Sequence, residues 1–251
     1  MDFYRFPPIA AALDAAYSVV TALSDLVAPI AGSAAAAVAI VLVTVLVRSL
    51  LIPVGVSHVR ADFTRRRLAP HLQELQRRYK KKPEVLQRKT LELYAAEKAS
   101  PVAGLLPALA QAPVLSIVYG LFTQPAINGH ANALLVEHLG GVPLGSSLVS
   151  LVGGGALWPG IAVFVVLLAI IGVVAFLSRR IQLRLAAPPT DDAPAVMRTM
   201  TAWLSWLPFI TLVFAAIVPL AATLYLAVST TWTLVERIVL RRLLAPRAVA
   251  A

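Results

Sequence analysis

The 251-residue chain contains no cysteine. That absence excludes disulfide scaffolding, thiolate metal sites, thiol catalysis and acylation of a lipoprotein cysteine. Charge is scarce as well: 14% of residues are Asp, Glu, Lys or Arg, where a soluble domain carries about 25%. Acids are the scarcer sign, 12 against 22 basic residues, for a net charge of +10. With 59% apolar residues and a mean hydropathy of +0.81, neither a disordered chain nor a water-facing globule fits. What remains is a polytopic membrane protein.

A hydrocarbon core about 30 Å thick takes roughly 20 apolar residues of helix. Five stretches meet that need: 34–54, 101–124, 156–178, 200–218 and 219–236. The last two are divided only by Pro219, which marks a tight turn between two antiparallel helices. The expected fold is therefore all-α with five transmembrane helices.

Basic residues accumulate on the cytoplasmic side of a membrane. Twelve lie between Arg60 and Lys98, four between Arg179 and Arg198 and four between Arg237 and Arg247, leaving Arg5 and Arg48. With five spans the three clusters share one side, which places the N-terminus outside and the C-terminus in the cytoplasm of a multi-pass cell-membrane protein. Eight acids join them (Asp62, Glu74, Glu84, Glu92, Glu97, Asp191, Asp192 and Glu236), and four lie outside. The cytoplasmic segments are then the loop 55–100, the loop 179–199 and a short basic tail, 237–251.

Residues 1–33 do not read as a signal peptide, because Asp14 and Asp25 interrupt any apolar core. Leu13, Ala16, Val20, Leu23, Val27 and Ile30 recur at three and four, with Asp14, Ser18, Thr21 and Asp25 on the other side. That is the pattern of an interfacial helix on the outer face. Cleavage near the Ala34 run is the alternative. The outer loop 125–155, with Gly140, Gly141 and Gly153 to Gly155, reads as irregular.

Residues 55–100 are the only long polar region. Leu68, Leu72, Leu75 and Tyr79 follow helical spacing until Lys80, Lys81, Lys82 and Pro83 break it, and Glu84 to Lys98 resumes as helix. This predicts a cytoplasmic helical hairpin. Its charges, including Arg65, Arg66 and Arg67, could merely enforce topology, or could contact anionic lipid head groups, ribosomal RNA or a partner protein.

Arg48 lies within the first span, where an arginine costs at least about 2.5 to 3.5 kcal/mol. No span offers an acid to pair with it. The side chain either snorkels to the cytoplasmic interface near Pro53 or reaches a wet cavity. Thr44 lies four residues earlier on the same face. In the second span Gln111, between Pro107 and Pro113, either answers carbonyls freed by the prolines or glues helices together. The fifth span brings Thr223, Tyr225, Ser229, Thr230, Thr233 and Arg237. Such hydroxyls often bond back to their own helix, yet with Thr44, Arg48 and Gln111 they could line a cavity that opens inward.

Catalytic constellations are missing. The four histidines fall in the hairpin region (His58, His71) and the outer loop (His130, His138), so no span holds a base for an intramembrane serine protease. Lone loop histidines rarely make a metal site, and no metal or cofactor is expected. There is no Gly-rich nucleotide loop with Lys-Ser/Thr.

The order of these pieces resembles the YidC-type membrane protein insertases, the group that includes the mitochondrial oxidase-assembly and chloroplast albino-type proteins. Four stretches carry the resemblance: TVLVRSLLIPV around Arg48; LAPHLQELQRRYKKKPEVLQRKTLELYAAEKASP in the hairpin; VAGLLPALAQAPVLSIVYGLF in the second span; and MRTMTAWLSWLPFITLVFAAIVPLAATLYLAVSTTWTLVERIVLRR across the last two. The resemblance covers residues 13–242 and implies a five-helix core around a hydrophilic groove, closed outside and open to the cytoplasm and sideways to lipid. It makes Arg48 the groove arginine, and the hairpin a mobile first cytoplasmic loop. Client membrane proteins are the implied substrates, with the translocation channel and the ribosome as further partners and no sequence-specific DNA contact. The implied groove set is Arg48, Thr44, Gln111, Ser178, Tyr225, Thr230 and Thr233, and the hairpin contacts are Arg65, Arg66, Arg67, Lys80, Lys81 and Lys82. Two departures stand out: Ser178 where the family usually has a Gln, and Leu224, Tyr225, Leu226 where it commonly reads Leu-Tyr-Trp. The tail after Arg242 is also short for the ribosome binding that longer basic tails provide.

The resulting expectation is a cofactor-free insertase with no covalent chemistry, moving short, preferably acidic tails and apolar helices into the membrane. A solute or ion transporter would normally hold an intramembrane acid, and the spans have none at depth. A structural subunit docking a partner through its hairpin would leave Arg48 replaceable.

Overall fold

A computed structural model describes residues 4, 6–97, 116–155, 158–185, 203 and 205–245. The described chain is mostly helical and divides into two compact units, Met1–Ser49 with Val114–Leu234, and Leu50–Pro113 with Val235–Ala251.

The first unit begins with α1 (Pro7–Ala31), a 3-10 turn (Gly32–Ala34) and α2 (Ala35–Leu50). Gly32, at φ +53°, is where α1 stops, because a residue with a β-carbon is strained there. Leu13 and Val20 are buried while Val19, Leu26 and Ile30 are exposed, so α1 packs one side on the core. In α2 two rows spaced by four residues diverge. Ala36, Ile40 and Thr44 are buried and lead to Arg48; Val38, Leu42, Leu46 and Leu50 are exposed. Small residues at Ala35, Ala36, Ala37 and Ala39 let neighbouring backbones approach closely.

Next come α5 (116–123) and a compact loop of two minimal hairpins. Strands β1 (Ala126–Ile127) and β2 (His130–Ala131) pair antiparallel around Asn128-Gly129, and β3 (His138–Leu139) and β4 (Val142–Pro143) pair around Gly140-Gly141. All four turn residues have positive φ, as two-residue hairpin turns of this type require. The loop expected to be irregular is thus built. Buried Asn132 holds it to α5, donating to the carbonyls of Leu121 (2.7 Å) and Gln124 (3.0 Å) and accepting from the Leu134 amide (3.2 Å).

After α6 (Leu148–Gly153), which opens with a Ser147/Ser150 capping box, come α7 (Trp158–Leu185), α8 (Leu207–Ile217) and α9 (Leu220–Leu244). The α8–α9 break falls at Val218–Pro219. A helix start leaves amides without partners, and here the loop before α6 supplies them: Leu220 donates to the Ser146 carbonyl (2.8 Å) and Ala221 to that of Leu144 (2.9 Å). The buried Thr223 hydroxyl donates to Ala215 O on α8 (2.7 Å). Leu13, Val20, Ile40, Leu121, Phe164, Ile171, Leu220 and Leu224 belong to one apolar core.

The second unit holds α3 (Ile52–Arg78), α4 (Pro83–Ala96) and the last residues of α9. Pro53 lacks an amide hydrogen and disfavours helical backbone before it, so the α2 helix stops and α3 begins afresh after Leu51. Lys80, Lys81 and Lys82 form the exposed turn between α3 and α4. Val59 and Leu68 are buried within this unit.

Among the described residues two helical stretches are long and apolar enough to cross a membrane, Pro7–Leu50 and Gly160–Leu185, with Leu207–Ile217 a shorter apolar helix. Of the expected fourth span 200–218, residues 200–202 and 204 lie outside the described residues, Ser205 and Trp206 form a turn, and helix covers Leu207–Ile217. Residues 101–115 of the expected second span, Gln111 included, lie outside the described residues. Of the expected 179–199 loop, the part up to Leu185 is a continuation of α7.

Candidate functional site

Helical periodicity puts Arg48 on the same row as Ala36, Ile40 and Thr44, so α2 turns its one charge toward protein and its Leu42–Leu46 row outward. The half-buried guanidinium donates through Nη2 to the Ser229 hydroxyl of α9, 181 positions away in sequence. Arg48 therefore brings a guanidinium into an apolar unit, with the Ser229 hydroxyl as one of its partners.

Around it the hydroxyls divide their bonds within their own helices. Thr44 donates to Ile40 O (2.6 Å), Thr230 to Leu226 O (2.7 Å), Thr231 to Ala227 O (2.7 Å) and Thr233 to Ser229 O (2.9 Å). With their hydrogens engaged these side chains offer acceptor lone pairs. Tyr225 is buried, its ring 6.5 Å from that of Phe122, so it packs in the core. Ser178 is half-buried near the C-terminal end of α7. Arg48 and Ser229 are thus brought together. Ser229 is one of the fifth-span hydroxyls but lies outside the implied groove set, and it falls on the row Tyr225, Ser229, Thr233 at intervals of four.

The second unit carries its own polar site. His58, Asp62 and Arg66 recur every four residues on α3, as do Arg237 and Arg241 on α9. Asp62 bonds Arg241 across the two helices and Arg66 on its own helix at 3.3 Å. Burial and the nearby Arg237 hold His58 below the usual imidazole pKa, with Asp62 opposing. Burial also lowers Arg241. Gly55 leaves room for the Glu236 carboxyl, which a side-chain methyl at position 55 would overlap. Farther along the hairpin Arg67 reaches Glu97 at 2.5 Å, Glu92 is held below the usual carboxylate range chiefly by its bond from Lys89, and Arg65 and Lys80 to Lys82 face outward.

Such a chain, predominantly helical with exposed apolar helix faces and an arginine directed inward, defines a helical membrane protein. Its sequence matches the family described as 60Kd inner membrane protein over residues 27–247, and the chain belongs to that family. Membrane protein insertase YidC of Clostridium perfringens is 35% identical over 86 residues, 34% of this chain and 36% of that protein. The protein of the same name from Oceanobacillus iheyensis is 35% identical over 98 residues, 37% and 39% of the two chains. Inner membrane protein ALBINO3 of Arabidopsis thaliana chloroplasts is 27% identical over 221 residues, 82% of this chain and 46% of that one. The matches thus span about a third to a half of these relatives' lengths.

Proposed function

We propose that this protein is a membrane protein insertase with five membrane-crossing helices, N-terminus outside and C-terminus in the cytoplasm, around an inward-open groove that contains Arg48. The observation that carries this reading is the placement of Arg48: on the protein-facing row of α2, bonded to an uncharged hydroxyl of α9. The names of the relatives agree with it.

The physical task is to move a polar tail across about 30 Å of hydrocarbon. A wet, basic groove shortens the apolar part of that path and offers a carboxylate a counter-charge part-way. Compared with a neutral hydroxyl such as that of Ser229, a client carboxylate gains charge as well as geometry from the guanidinium fork. The client's apolar segment supplies the driving force by entering lipid, at about 0.3 to 0.6 kcal/mol for each Leu, Ile, Phe or Val near the bilayer centre. In this reading the hairpin recruits clients, anionic head groups and the translocation channel contact its basic turn, and no cofactor takes part.

Purified protein in liposomes, given a single-span client with a short acidic tail, tests it. Wild-type chain inserts the client and protects the segment from protease; Arg48→Ala reduces insertion strongly. Equal insertion by both chains would refute the reading and favour a structural subunit.

A further inference from the structure

The inner end of α7 meets the start of α8 at a corner that the groove does not use. Within it, the guanidinium of Arg179 lies 4.1 Å from the centre of the Trp206 ring, and its Nε points at the Ser205 hydroxyl at 3.4 Å. One helical turn before, Phe176 carries Arg180 over its ring at 4.9 Å. Arg184 is exposed one turn beyond Arg180. Among the described residues no carboxylate forms an ion pair with any of the three. They also sit at the C-terminal end of α7, where the helix dipole favours cations.

The surroundings decide what anion fits. Trp203, Trp206 and Leu207 are exposed, and from them the exposed strip of α8 continues through Ile210, Val213, Phe214 and Ile217. On α7 the strip runs Val166, Ile170, Val173 and Phe176 before the arginines. An unbroken apolar strip that ends in indole rings and then in unpaired guanidinium groups matches one environment: acyl chains, then the interface, then head groups. An acidic peptide or an RNA would give the apolar strip nothing to contact.

We infer that Arg179, Arg180 and Trp206 form a binding site for the phosphate of an anionic phospholipid in the inner leaflet. This rests on the reading that α7 and α8 lie across the membrane with their Arg179 and Trp206 ends inward. Arg179 is pre-oriented, since the indole and the Ser205 hydroxyl take one face and one N–H of its planar fork and leave the terminal N–H groups for phosphate oxygens. Arg180 adds charge from the next position. The site is separate from the hairpin charges, and it fixes the α7–α8 pair at a set depth.

The test uses the full chain in lipid nanodiscs, with Trp158, Trp203 and Trp232 replaced by Phe so that Trp206 alone fluoresces. Phospholipids spin-labelled at the head group are supplied as either anionic phosphatidylglycerol or zwitterionic phosphatidylcholine. Trp206 is expected to be quenched preferentially by the anionic label. Arg180→Gln should lower that preference about fivefold and Arg179→Gln by a similar factor, as expected for one cation at a lipid surface. Arg180→Gln touches only a ring face on an exposed surface, and unchanged far-ultraviolet circular dichroism shows that the variant is folded. Equal quenching by both lipids overturns the site. So does loss of the preference on adding inorganic phosphate, which means a small-anion site, or on adding an acidic peptide or RNA. Quenching by neither lipid places the corner away from the interface and overturns the membrane reading together with the site. Failure of the insertase reading is seen separately, in the Arg48→Ala liposome assay.

Discussion

The Ser229 hydroxyl is one of the groups that hold Arg48. Ser229→Ala removes that neutral acceptor, and a hydrogen bond to a charged group contributes about 1.5 to 3 kcal/mol. The variant is expected to lose stability within about that range and still to insert acidic tails, whereas Arg48→Ala loses insertion; calorimetry beside the liposome assay separates the two. The cysteine-free sequence permits a second check. A single cysteine at position 44 or 48 should react with a membrane-impermeant thiol reagent from the cytoplasmic side, and one at Leu42 or Leu46, on the outward row, should not. Equal protection at all four positions would mean that no water reaches Arg48. The sequence sufficed to pick out Arg48, since a charge in an apolar run is visible by itself. Its partner was not, because nothing in the order of residues joins position 48 to 229.

The elements show the same division. The hairpin's helices and its lysine turn follow from spacing and from Pro83, and the α2–α3 break from Pro53. Asn128-Gly129 and Gly140-Gly141 are hairpin signals, which the surrounding glycines of the loop mask in the sequence. The ladders on α3 and α9 were each legible as a period of four, and only the fold could set them face to face. Their consequence depends on pH. His58 has a folded pKa below its unfolded value of about 6.5, because burial and Arg237 oppose its charge. Above that value both states are neutral there and the contact keeps its full stability. As pH falls below it the unfolded chain takes the proton first, and stability is lost until the folded pKa is also passed. Asp62 faces His58 from the same helix, and Arg237 and Arg241 face it from α9. Hydrogen exchange over 52–62, corrected for intrinsic rates, should therefore accelerate between about pH 7.5 and 5.5, and His58→Gln should flatten the change. The turn at 79–82, exposed and far along α3, should exchange fastest at every pH. Deleting residues 72–92 should abolish client recruitment; unchanged insertion would leave the hairpin as a topological device.

For the molecule as a whole, the scarcity of acid within the apolar helices bears on energy supply. In the proposed mechanism the membrane potential acts on the client's charge. Each carboxylate moved outward from an interior-negative cell gains about 2.3 kcal/mol per 100 mV. Clients with short tails bearing one or two Asp or Glu should insert best, and collapsing an imposed potential should slow them more than neutral tails, as read by protection from external protease. Preference for lysine-rich tails would refute the mechanism. Membrane character was written across the composition, and the family across four stretches of sequence. The turn at Ser205 and Trp206 ahead of Leu207–Ile217 was not foreseeable, because hydropathy counts apolar residues through a turn.

The first turn of α9 has one more implication. Leu220 and Ala221 give their amides to the loop before α6, and Thr223 gives its hydroxyl to α8. The N-terminal end of that helix is moored by bonds that any sliding or spinning would break together. Under the proposed function a client pressing on α9 would tilt it like a mast stepped in a deck, with little play at the foot and more at each successive turn along the shaft. Distance distributions between spin labels on α8 and α9 should stay narrow beside Ala221 and broaden progressively toward Thr231 when a client is engaged.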